Sequence, residues 1–67
     1  MYPNLKAELA RKGWTAAYLA ELLGRKPAYI STKMNGKYVF SLPEAIRIKQ
    51  LLGVDMTIEE LFMRKEA

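Results

Sequence analysis

Residues 15–36, TAAYLAELLGRKPAYISTKMNG, constrain the fold of this chain more than any other stretch. Thr15 can cap a helix through its side-chain oxygen, and Gly24 suits the left-handed residue that follows a helix end. Between them Leu19, Ala20 and Leu23 fall on one helical face. Pro27, with its fixed φ, fits the first turn of a second helix, and Asn35-Gly36 is a strong stop. The two short helices are separated by about three residues, Gly-Arg-Lys. So short a connection cannot return the second helix antiparallel along the first, and leaves the pair steeply crossed. Ala20 is small where the helices must approach, and Ile30 is the apolar residue the second can drive against the first.

The rest of the chain divides by the same punctuation. Asn4 serves as an N-cap for a first helix over 5–12, stopped by Gly13, with Tyr2-Pro3 as a non-helical lead-in. The pair itself occupies 16–23 and 27–34. Ser41 and Glu44 form a capping box for a helix over 42–52, with Leu42, Ala45, Ile48 and Leu52 on one face and Gly53 as its stop. Thr57 and Glu60 form a second box for a last helix over 58–63. Residues 64–67 are expected to fray. No run shows the alternation of a strand. The expectation is one all-α domain of five helices spanning residues 1–67.

Composition removes whole classes of function. The chain has no cysteine and no histidine, so a disulfide framework, a thiolate metal site and a histidine general base are absent. No metal or cofactor is expected. Glu59 and Glu60 are helix neighbours that point in different directions, and capping explains them better than acid–base chemistry. No apolar run is long enough to span a membrane and no small-molecule ligand is indicated, so an intracellular protein is expected. An enzyme is the weakest of the readings.

Charge is unevenly placed. Residues 1–49 carry nine lysines and arginines against three glutamates, a balance of +6, while residues 50–67 balance to −2. From Arg25 to Lys37 there are four positive residues and no negative one. A field of this sign suits a surface that meets phosphate. Ala28, Ser31 and Thr32 put small groups on the second helix of the pair, and small groups permit close approach to a base edge.

The run Leu19-Ala20, Gly24, Ile30-Ser31 and Asn35-Gly36-Lys37 resembles the helix-turn-helix of phage repressors and Cro proteins (the xenobiotic-response-element family), and S-L-P-E-A-I-R-I-K-Q-L-L-G-V extends the resemblance. Together these features span residues 5–62. The resemblance implies a phage-repressor-like bundle in which helix 27–34 enters the major groove of double-stranded DNA and helix 16–23 crosses the backbone. It places Lys26, Pro27, Ala28 and Thr32 at base edges. It places Ala16, Arg25, Tyr29, Lys33, Asn35, Lys37 and Tyr38, with the backbone near Asn35, against phosphates. It also implies a regulator of transcription in the cytoplasm of a bacterial or phage-infected cell, acting as a homodimer on a near-palindromic operator.

The chain departs from the pattern at several points. Ala16, Pro27 and Ala28 stand where relatives often carry glutamine, so hydrogen-bonded base readout is thin and backbone charge carries more of the affinity. Arg25 and Lys33 replace apolar residues; Lys33 is expected to lay its stem on the core and extend its ammonium to water or phosphate. Leu9 and Met34 together replace an arginine–glutamate pair, an exchange of buried ions for apolar groups that is commonly neutral or stabilising. With no room for a separate oligomerisation domain, the dimer contact is expected at Leu61, Phe62 and Met63. The alternative is a protein-interaction module of the same fold, antitoxin-like or an anti-repressor partner, which the apolar loop Tyr38-Val39-Phe40 favours.

Overall fold

The computed structural model describes residues 2–65. Five helices follow one another: α1 (Pro3–Lys12), α2 (Ala16–Leu22), α3 (Pro27–Met34), α4 (Leu42–Leu52) and α5 (Ile58–Leu61). No strand occurs among the described residues, and no helix there is long and apolar enough to cross a membrane.

The first helix starts at Pro3, two residues earlier than expected. Proline restricts the residue before it, but its own φ suits the first helical position, so the helix opens on the proline itself. Tyr2 takes the N-cap position without a side-chain cap bond and is buried. Asn4 is therefore not the cap. Its Nδ2 donates to the Glu60 carbonyl at 2.7 Å and ties α1 to α5.

The turn after α2 explains the crossed pair. Gly24 adopts φ +69°, the Gly24 N–H donates to Glu21 O at 3.1 Å, and the Arg25 N–H donates to Ala20 O at 2.8 Å. These two bonds make a Schellman stop, closing the orphan carbonyls of α2. Helix α2 ends at Leu22 rather than 23. Thr15 caps its start by accepting from the Tyr18 N–H at 3.0 Å. Helix α3 ends in the same way around Gly36, at φ +85°, with the Lys37 N–H donating to Thr32 O at 3.0 Å. Both capping boxes form: Ser41 with Glu44 and Thr57 with Glu60. The Thr57 N–H and hydroxyl, both donating to the Glu60 carboxylate, hold its pKa below the ordinary value of 4.5.

The core gathers one or two residues from every helix: Leu5 and Leu9, Leu19 and Ala20, Ile30, Ile48 and Leu52, and Leu61. Each fully buried Leu or Ile contributes about 2–3 kcal/mol of transfer free energy. Helices α2 and α3 pack most extensively on each other, α1, α4 and α5 pack among themselves, and the shared core joins the two groups. Tyr2, Phe40 and Phe62 close one end in an edge-on cluster with centroid separations of 5.3, 6.0 and 5.2 Å. The Arg64 guanidinium lies 5.8 Å from the Tyr2 ring, so the chain stays packed just beyond Met63; residues 66 and 67 of the expected frayed tail lie outside the described residues. Trp14 is half-buried at the α1–α2 junction, with Tyr18 edge-on at 5.3 Å.

Three further expectations are corrected. Leu42 lies off the inward face of α4, which is made by Ala45, Ile48 and Leu52. Helix α5 closes at Leu61, not Met63, because Phe62 leaves the helical region at φ −102°, ψ 19° to join the aromatic cluster. Leu61 itself is 0% exposed, a core residue that no partner can reach.

Candidate nucleic-acid interface

The turn and the start of α3 place Arg25, Lys26, Pro27 and Ala28 consecutively at the surface, all exposed. Pro27 sets the first turn of α3, and Lys26 precedes it as an extended N-cap without a side-chain cap bond. This is a basic, small-residue edge. The Arg25 guanidinium lies 5.0 Å from the Tyr29 ring centroid, within cation–π range.

Thr32, one turn further along α3, is half-buried. Its hydroxyl donates to the carbonyls of Ala28 at 2.9 Å and Tyr29 at 3.1 Å. The oxygen lone pairs and the methyl remain for a partner, but the proton is engaged within the helix, as threonines in helices commonly arrange.

Tyr29 and Lys33 are not the free phosphate ligands expected. Both turn toward α4, where Glu44 accepts from each. The Tyr29 hydroxyl donates to Glu44 Oε2, and the Lys33 ammonium donates to Glu44 Oε1 at 2.6 Å and to the Tyr29 oxygen at 3.0 Å. The side chains of Lys33 and Glu44 are only 13% and 17% exposed. Lys33 sits 4.4 Å from the Tyr29 ring centroid and 5.9 Å from that of Phe40. Glu44 also accepts from the Ser41 N–H at 3.0 Å, so one carboxylate serves a helix cap and an interhelical ion pair together. Burial alone would raise the Glu44 pKa. The hydrogen bonds from Lys33, Tyr29 and Ser41 outweigh it and bring the value from 4.5 down to about 2. For Lys33, burial alone would lower the pKa; the bonds to Glu44 and Tyr29 prevail and raise it above 10.5. In the sequence, the capping box marked Glu44 only as local; its reach to α3 depends on tertiary packing.

Asn35 and Lys37 are exposed beyond the end of α3, and Tyr38 beside them is exposed with the Lys37 ammonium 6.0 Å from its ring centroid. The backbone near Asn35 was also expected to meet phosphate. Its amides are taken: those of Asn35, Gly36 and Lys37 donate to Ser31, Lys33 and Thr32 carbonyls in closing α3. Contacts there must come from the side chains.

Ala16, at the start of α2, is half-buried and lines a groove of about 290 Å³ with Tyr2, Lys6, Ser31, Met34 and Asn35. The groove brings two expected phosphate positions, Ala16 and Asn35, next to Lys6, an exposed cation of α1. Sequence reasoning passed over Lys6; its place on α1 beside the Leu5–Leu9 face gave no sign of proximity to Asn35.

The expected dimer residues separate. Leu61 is buried, Phe62 is half-buried among Tyr2 and Phe40, and only Met63 is exposed. The most exposed large apolar residues are instead Val39, 65% exposed, and Leu42, 64% exposed, followed by Tyr38, Met63, Tyr18 and Ile46. Val39 and Leu42 border an apolar groove of about 300 Å³ that Phe40, Ile58, Phe62 and Arg64 also line. Among the described residues, no three acidic residues cluster in a way that could hold a metal ion. No family model, curated protein or solved structure matches the chain.

Proposed function

We propose that the chain is a double-stranded DNA-binding regulator of transcription, with α2 and α3 acting as a helix-turn-helix of the phage-repressor kind. The observation that carries this reading is the exposed run Arg25-Lys26-Pro27-Ala28 at the leading end of α3, with Lys37 exposed beyond its far end and no acidic residue in between. Small side chains at Pro27 and Ala28 let the backbone of α3 approach base edges, and Ala28 can meet a thymine methyl. Arg25, Lys26 and Lys37 supply phosphate neutralisation, supplemented by Lys6 and Asn35 at the groove beside α1.

A single half-site read by so few groups binds weakly, so a symmetric pair of chains on a near-palindrome is the economical arrangement. With Leu61 in the core, the dimer surface belongs at Val39, Leu42 and Met63. The same surface supports a second reading, a module that engages a different protein and binds DNA weakly.

Selection of bound sequences from random duplexes at moderate salt tests the proposal. Enrichment of an inverted repeat is the expected result. Retention of all sequences alike, or of none, would sink it in favour of the protein-interaction module.

A further inference from the structure

We propose that Glu44 masks Lys33, holding one positive charge of α3 out of the nucleic-acid interface, and so acts as a specificity-determining residue of that interface. The inference rests on the DNA-binding reading and adds to it a residue of α4 that touches no nucleic acid.

The geometry carries it. Of the four cations between Arg25 and Lys37, Lys33 alone turns inward; Arg25, Lys26 and Lys37 are exposed. Its ammonium donates to Glu44 Oε1 at 2.6 Å and to the Tyr29 oxygen at 3.0 Å, and it lies near the Tyr29 and Phe40 rings. Yet Lys33 is at the edge of the surface, not deep beneath it. It lines an open depression of about 450 Å³ together with Thr32, read as base-facing on α3, and Tyr38, read as phosphate-facing in the loop after it, and with Tyr29 and Val39. The stem of Lys33 is a flexible four-carbon chain, so its ammonium can leave the ion pair by side-chain rotation. The ion pair decides which way it points.

The consequence concerns specificity more than affinity. Phosphate contacts strengthen binding to every duplex alike, whereas base contacts separate one sequence from another. With hydrogen-bonded readout already thin, a further free cation would raise binding to wrong sequences as much as to the right one. Neutralising Lys33 internally keeps the positive run while limiting its non-specific part.

The test is a double-mutant cycle read by salt dependence. Glu44→Gln retains a capping-box residue, since glutamine also accepts from the N-cap amide, and leaves the cation without a counter-charge. Expected is tighter binding to scrambled duplexes and a slope of log affinity against log salt steeper by about 0.9, one additional phosphate. Lys33→Met should leave the slope at its wild-type value, because the charge it removes is already neutralised. In Glu44→Gln/Lys33→Met the extra slope should vanish. A gain that persists in the double variant would show that only the lost negative charge matters, and would overturn the masking. Glu59→Gln, at an exposed position of α5, gives the size of that general effect.

A measurement without DNA separates this inference from the reading it rests on. Amine acylation followed by peptide mass mapping should label Lys33 more slowly than Lys26 or Lys37 in the wild type, and several-fold faster in Glu44→Gln. Equal labelling of Lys33 in the two proteins would overturn the masking whatever the duplex assays give. Failure of the wild type to bind any duplex would overturn the DNA-binding reading and, with it, the claimed effect on specificity.

Discussion

Protonating Glu44 should weaken the fold in a defined window of pH. Its carboxylate is the common acceptor of Lys33, Tyr29 and Ser41, and its pKa falls from 4.5 to about 2. A group whose folded pKa is depressed adds stability above its unfolded pKa and loses it as pH falls toward the folded value. The window here runs from about pH 4.5 down to about pH 2. At 1.36 kcal/mol per unit, the full shift corresponds to about 3 kcal/mol. With 17% of the side chain meeting water, screening brings the expected contribution to about 1–2 kcal/mol. Lys33 acts in the opposite range. Its raised pKa adds stability that is complete below pH 10.5 and fades as pH climbs through the folded value. The assay is urea unfolding followed by circular dichroism at intervals from pH 2 to 7, for wild type and Glu44→Gln. The wild type should lose about 1–2 kcal/mol more than the variant across the acid window, with equal m-values. Parallel curves for the two proteins would refute the reasoning, since the acid sensitivity would then lie outside the Glu44 cluster.

Three other outcomes follow from the same structure. Leu9→Arg places an unpaired charge among core residues and should cost about 3 kcal/mol or more, and adding Met34→Glu should recover much of the loss if the two side chains meet in space; a double variant no more stable than the single in urea melts would contradict this. Leu61→Ala should cost about 2–5 kcal/mol in the same melts, as deletion from a fully buried site does, whereas Leu42→Asp should leave the melt nearly unchanged and shift sedimentation from dimer to monomer; an unchanged sedimentation coefficient would remove the Val39–Leu42 surface as the dimer contact. Lys37→Ala and Lys6→Ala should each flatten the salt slope by about 0.9 on all duplexes, while Ala28→Gln should alter preference at one or two base pairs by about 1–3 kcal/mol with the slope retained; a slope indifferent to both lysines would mean that their charges stay solvated.

What the sequence makes legible here is whatever is fixed within one turn of chain. Both capping boxes, the stop at Gly24 and the proline start of α3 need only residues within five positions of one another, and the structure closes them with local hydrogen bonds. The errors at element ends have equally local causes. Helix α1 opens on Pro3 because proline's own geometry outweighs the capping preference of Asn4, and Asn4 finds a distant acceptor on Glu60. Helix α5 stops early because Phe62 gains two aromatic neighbours by leaving it. Leu42 falls on the outer side of α4 although its spacing to Ala45 fits an inward stripe. A stripe three residues wide fixes a face only to within a residue, and the N1 position sits where α4 has not yet met the core.

The site is harder to read because charge, unlike capping, is settled by partners far along the chain. Counting residues 25–37 gives four cations, yet Lys33 is neutralised from α4, 11 residues away, and the effective positive edge is Arg25, Lys26 and Lys37. Lys6 enters from the other direction: it is remote in sequence from Asn35 but shares a groove with it. Leu9 and Met34 belong to the apolar core and its margin, where a buried ion pair would need full compensation, while the interhelical ion pair of this chain stands at the margin between α3 and α4 with both carboxylate oxygens of Glu44 engaged. An ion pair at the margin is cheaper to desolvate than one in the core, and it remains close enough to the surface for its rupture to change what α3 presents. A count of charges along α3 therefore overstates the field that a ligand meets. The count that matters is of cations whose nearest anion would have to come from outside the chain.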